Sequence, residues 1–104
     1  MKRDGRESGV RASFYGSLCY EGIRGGALSI DRKGVYYRSK VLTLPEEYRN
    51  ICIYFEELER LEKGHKFVFP TVKLWLVTGK KYEFVVFGRK RFLTLCKQSG
   101  VVVS

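Results

Sequence analysis

A chain of 104 residues that is 44% hydrophobic and 14% aromatic makes about one domain and can build a packed core. This excludes the disordered class, in which burial cannot offset chain entropy. The formal charge of +9 implies attraction to phosphate-bearing partners, either anionic lipid headgroups or nucleic acid.

The charge is uneven along the chain. Residues 41–62 carry two Lys/Arg against six Glu, whereas residues 63–104 carry nine Lys/Arg against Glu83 alone. A dipolar surface of this kind favours an oriented encounter with an anionic partner. Cys19, Cys52 and Cys96 are odd in number, far apart and without a CxxC pair. That argues against a disulfide framework or a zinc site and for reduced, buried, structural thiols in a cytoplasmic protein. The apolar runs are only a few residues long, short of the roughly 20 that span a bilayer. The first residues also lack the apolar segment of a signal peptide.

Residues 1–12 read as a flexible basic N-terminal arm, 13–100 as the domain and 101–104 as a C-terminal tail. The first strand is expected at 13–20, with Phe14 and Leu18 on one face. Gly22, Gly25 and Gly26 then suggest a turn across 21–26. Strands at 27–30 and 35–38 flank Asp31-Arg32-Lys33-Gly34, whose leading Asp and closing Gly are the chemistry of a hairpin turn. A long connection at 39–50 contains Pro45. A strand at 51–55 and a short turn at Glu56-Glu57 follow. Residues 58–63 have Leu58 and Leu61 at helical spacing, but six residues would make a poor helix. A short irregular strand is the better reading.

Gly64 and Pro70 bracket an expected loop. Alternation returns at 72–78, where Val72, Leu74 and Leu76 oppose Lys73, Trp75 and Val77, and again at 81–87. From Arg89 the period becomes helical, with Phe92, Leu95, Cys96 and Ser99 on one stripe and Gly100 as a stop. The apolar Val101–Val103 segment is expected to pack or to pair in an assembly. Several short strands with tight turns and one terminal helix predict a mostly β barrel whose corner the helix plugs.

The ordered set of motifs resembles the GRAM domain of the pleckstrin-homology-like superfamily. Gly25-Gly26-Ala27-Leu28-Ser29-Ile30 with Gly34-Val35-Tyr36-Tyr37-Arg38-Ser39 is similar to its opening. Ile51-Cys52-Ile53-Tyr54-Phe55-Glu56-Glu57-Leu58 and Leu61-Glu62-Lys63 are similar to its central segment. Lys73 to Phe84 with Phe87 is similar to its late hairpin. The chain departs at Tyr37, where the family usually has Phe, and in the 39–50 connection. The resemblance covers about 13–99. It implies seven strands in a partly open barrel, or two orthogonal sheets, capped by a helix at about 89–99.

Catalysis needs convergent groups, and this sequence supplies none by pattern. His65 is a lone loop histidine, no cysteine has an adjacent activating partner, and no phosphate-loop or metalloprotease motif occurs. No enzyme activity, cofactor or metal is expected. If the strands meander, 21–26, 39–50 and 78–81 share one end and gather Arg24, Lys40, Arg49, Lys80 and Lys81 as an anion site. The resemblance implies that this is the end that takes inositol phosphates. The strand at 27–30 carries none of the cations expected of such a headgroup motif, which favours diffuse attraction to lipid. The other end would gather Arg32, Lys33, Lys63, Lys66, Arg89, Lys90 and Arg91.

Val41, Leu42 and Leu44 read either as membrane-dipping residues or, preferably, as an extension of the third strand or a cap on the core. Trp75, with Lys73 and Val77, reads as an exposed surface for a protein partner or for self-association into a homo-oligomer, because tryptophan is frequent at hot spots. Nucleic acid is the third reading, from the interleaved Tyr36-Tyr37-Arg38 and Lys80-Lys81-Tyr82. The leading reading is a non-catalytic module peripheral to an anionic membrane, or bound to a protein.

Overall fold

Alternation of apolar and polar side chains builds the first strand, β1 (Val10–Cys19), which buries Phe14, Gly16 and Leu18 and exposes Ser13 and Tyr15. The computed structural model describes residues 10–104, with side chains from Ala12 onward. Residues 1–9 of the expected arm lie outside the described residues, and Val10 to Ala12 already belong to the strand.

β2 (Ile23–Asp31) starts four residues before the position expected from Ala27. The turn is confined to Tyr20–Gly22, where Glu21 and Gly22 take φ of 49° and 115°. Gly25 and Gly26 lie inside the strand and face Ser17 and Gly16. Glycine is required at 26 by packing: a Cβ there would stand 2.6 Å from both the Tyr37 ring and the Arg38 carbonyl. The Tyr37 hydroxyl crosses the strand to donate to the Arg24 carbonyl at 2.7 Å.

The hairpin into β3 (Gly34–Arg38) is as expected. Asp31 Oδ1 accepts the amides of Lys33 (2.7 Å) and Gly34 (3.0 Å), which closes the turn. The connection to β4 (Asn50–Tyr54) folds back on the barrel and holds a short helix, α1 (Glu46–Arg49). Leu44 in that connection is core and Val41 packs against it, as the preferred reading had it; Leu42 is exposed.

A 3₁₀ turn at Phe55–Glu57 leads into β5 (Leu58–Lys66), which is longer than the short strand expected and is irregular between Leu58 and Arg60, as expected. The loop expected at 64–70 shrinks to Phe67-Val68, because β6 (Phe69–Leu76) pairs with β5 from Lys66↔Phe69 through Gly64↔Thr71. Gly64 again serves close approach: a Cβ would come within 2.9 Å of Thr71 Oγ1. β7 (Lys81–Val86) follows a tight turn.

Every pairing among these strands is antiparallel, in the order β4-β3-β2-β1-β7-β6-β5, and the sheet curls into a half-barrel. This is the mostly β architecture with a terminal helix that the sequence predicted. α2 (Arg89–Gln98) lies on the core through Phe92 and Cys96 of the expected stripe and through Leu93, which the stripe left out, while Leu95 is half-buried against the core. Leu28, Ile30, Ile53, Leu61, Leu74 and Phe84 are also fully buried. Each such side chain contributes about 1.5–3 kcal/mol by leaving water.

The tail pairs in cis. Leu61 N–H donates to the Val102 carbonyl and Ser104 N–H to the Leu61 carbonyl, both at 2.8 Å, which lays the last residues parallel along the β5 edge. Of the three thiols only Cys96 is fully buried; Cys19 is half-buried and Cys52 is exposed, against the expectation that all three are interior.

Candidate anion-binding surface

At the end where β1 turns into β2, the structure brings some of the first predicted group together. Tyr20 and Tyr48 stack with centroids 4.5 Å apart, which joins that turn to α1. A cleft of about 190 Å³ opens beside them, lined by Tyr20, Tyr48, Lys80, Lys81, Tyr82 and Glu83. Lys80 lies 5.0 Å from the Tyr82 ring centroid. A hydrogen bond with that phenol pushes the ammonium pKa above its ordinary 10.5.

Arg24 belongs to this end but is already engaged. Its Nε donates to the Tyr20 carbonyl (2.9 Å), Nη1 to Thr43 Oγ1 (3.1 Å) and Nη2 to the Glu21 carbonyl (3.2 Å). The guanidinium therefore staples the turn to the 39–45 segment. Arg49 is half-buried, and its Nε is buried without a hydrogen-bond partner among the described residues. Lys40 lies instead on a shallow cleft of about 490 Å³ with Gly25, Gly26 and Arg38. Glu21, Glu47 and Glu83 share the Tyr20 end, so its field is mixed.

The second predicted group divides in two. Arg32 and Lys33 line a cleft of about 540 Å³ with Tyr54, Phe55 and Glu56, at the foot of α2. The others surround the β5–β6 hairpin and the start of α2. Arg89 Nη1 donates to the carbonyls of Gly64 (2.9 Å) and Thr71 (3.3 Å) and so clamps α2 to that hairpin. Lys63, Lys90 and Arg91 are exposed and Lys66 is half-buried. Arg91 stands 5.7 Å over the Phe14 ring. Glu83, the lone acid after residue 62, accepts from Thr71 Oγ1 at 2.7 Å.

Trp75 is half-exposed and belongs to a side-chain network on the sheet face. Its ring has Arg60 at 4.6 Å and Lys81 at 5.4 Å, and its Nε1 donates to Glu62 Oε1 at 3.0 Å. Lys73 across the strand pair adds to the same network and Val77 is exposed. The tyrosines of the stacking pattern are also occupied: Tyr37 is core, and the Tyr36 hydroxyl donates to the Asp31 carboxylate at 2.9 Å.

No family model and no curated protein matches the chain. Among solved structures, the fold is similar to the C-terminal domain of an unknown protein from Leishmania infantum, with a TM-score of 0.70. The two are 14% identical over 86% of this chain and 83% of that one, a likeness of fold alone. Among the described residues no group of three His, Cys, Asp or Glu could hold a metal ion, and no helix is long and apolar enough to cross a membrane.

Sequence reasoning missed the tip of the β5–β6 hairpin. Phe67 and Val68 are 83% and 85% exposed, and Phe67 adopts φ of 56°. The missed signal is chemical: a two-residue turn normally takes Gly, Asn or Asp, and here Lys66 and Phe69 flank two bulky apolar residues. Behind the tip, Phe69 and Phe87 meet edge to face at 6.3 Å.

Proposed function

We propose that this chain is a non-catalytic, GRAM-like module that attaches peripherally to an anionic lipid surface on the cytoplasmic side. One observation carries the reading: Arg89 clamps the start of α2 to the β5–β6 hairpin, and these two joined segments carry the exposed cations Lys63, Lys90 and Arg91. Each basic residue held near an anionic surface contributes about 1 kcal/mol, so a few suffice for reversible attachment. The first turn of α2 adds support. It carries Arg89, Lys90 and Arg91 and no acid, and cations at the positive end of a helix dipole are unfavourable until an anion approaches. The Tyr20 end is the weaker candidate, since Arg24 is bound internally and Glu21 and Glu47 lie close to Tyr20.

Co-sedimentation with vesicles of phosphatidylcholine, with and without phosphatidylserine, tests the reading. Binding should require phosphatidylserine and weaken as salt rises. The double reversal K63E/K90E should abolish it, and K80E/K81E should reduce it far less. Absence of binding at low salt would remove the lipid reading and leave a protein partner as the alternative.

A further inference from the structure

The tip Phe67-Val68 combines two features that folding alone does not explain. The two apolar side chains are among the most exposed large hydrophobics of the described residues. Phe67 holds a left-handed backbone, a conformation costly to any residue but glycine. Strain kept at an exposed site, with no compensating burial, points to use of that site.

The charge around the tip is layered. Successive strand residues point to opposite faces, so Lys66 projects from one face of the hairpin and His65 and Lys63 from the other. All three lie within four residues of the turn, roughly 13 Å along the strand. Residues 63–82 contain no acid. The Arg89 clamp to Gly64 and Thr71 holds the exposed Lys90 beside the same hairpin. An apolar point backed by a cationic collar is the complement of a bilayer, in which an anionic layer covers hydrocarbon.

We infer that the β5–β6 hairpin is a membrane wedge: Phe67 and Val68 enter the acyl boundary of an anionic bilayer, and Lys63, His65, Lys66 and Lys90 meet the phosphates around them. The inference rests on the lipid reading above and gives it an orientation. Interfacial apolar groups sit about 5–10 Å into the headgroup and acyl boundary, a depth that leaves Lys66 and His65 at phosphate level and Lys63 just above. A tip that projects from the molecule suits a fluid layer that closes around it. The Phe69–Phe87 pair and the Arg89 clamp stiffen the base of the wedge.

The full chain with F67S/V68S provides the test, because neither side chain belongs to the core. On phosphatidylcholine–phosphatidylserine vesicles, affinity should fall at least about tenfold relative to the unaltered chain, with an unchanged thermal midpoint. In an F67W/W75F chain, the tryptophan emission should shift to the blue and be quenched by lipids brominated on their acyl chains. If F67S/V68S binds these vesicles as well as the unaltered chain, or if Trp at 67 stays in water, the wedge is wrong while the lipid reading stands. If the unaltered chain ignores phosphatidylserine vesicles at low salt, both fall.

Discussion

Phe14 of β1 and Phe92 of α2 meet edge to face, with centroids 5.4 Å apart and planes at 77°, and that contact seats the helix on the half-barrel. Phe92 is fully buried. Truncating a buried Phe to Ala costs about 3–5 kcal/mol, a large part of the 5–15 kcal/mol available to a small domain. Phe92→Ala should therefore shift the urea midpoint steeply or leave the chain unfolded. R91A, which removes an exposed cation over the same ring, should cost about 0.5–1 kcal/mol. Equal losses would mean that the Phe14 ring takes its support from the cation and not from Phe92.

The Trp75–Glu62 hydrogen bond predicts an acid-side transition. That bond, helped by the nearby Lys73 and Arg60 against some desolvation, lowers the Glu62 carboxyl below its ordinary 4.5. The folded state thus favours the ionised form, so this contribution is complete above the unfolded pKa and lost as pH falls through the folded one. Emission from Trp75 should change with a midpoint below 4.5, and E62Q should flatten that step. A midpoint above 4.5 would contradict the bond.

Thiol reactivity should follow burial. Cys52 is exposed, Cys19 is half-buried with its thiol pKa raised by desolvation and by Glu83, and Cys96 is fully enclosed. Since the thiolate is the reactive species, a disulfide reagent at neutral pH should consume Cys52 first and Cys19 slowly. Cys96 should react only on unfolding. Reaction of Cys96 in the native chain would show that α2 lifts from the core.

Adjacent glycines should respond in opposite ways. A methyl group at 25 meets nothing within 4 Å, whereas at 26 it strikes Tyr37 and the Arg38 carbonyl. Gly25→Ala should stabilise by about 0.4–1 kcal/mol by restricting the unfolded chain. Gly26→Ala should cost about 1–3 kcal/mol through overpacking. Chemical denaturation of the two variants checks this, and the same sign for both would refute the placement of Tyr37.

Glycine at the hairpin tip should separate folding from attachment. Phe67→Gly relieves a left-handed backbone that costs an ordinary residue about 1–2 kcal/mol, offset in part by the extra freedom of glycine in the unfolded chain. The variant should melt no lower than the unaltered chain while binding anionic vesicles less well. A clear loss of stability would mean that the Phe67 ring supports the fold.

Turns whose side chains close them locally were legible in the sequence: Asp31 and Gly34 announce their hairpin, and Asp31 does accept both amides. Glycines that serve contacts were not. Gly25, Gly26 and Gly64 read as loop, yet they sit in strands, and 26 and 64 leave room for Tyr37 and Thr71, which only the pairing of neighbouring strands brings against them. The cations of the candidate surface were all visible as charges. Which of them are consumed internally was not, because Arg24 and Arg89 bind carbonyls that only the folded chain supplies.

β1 takes two partners at very different times. Its hairpin with β2 can form as soon as residue 31 exists, but Leu18 meets Phe84 only 66 residues later along the chain. At roughly 5–20 residues per second of synthesis, the second edge of β1 waits several seconds, open to any other extended segment. The nascent half-sheet is thus the species that a chaperone would have to shield.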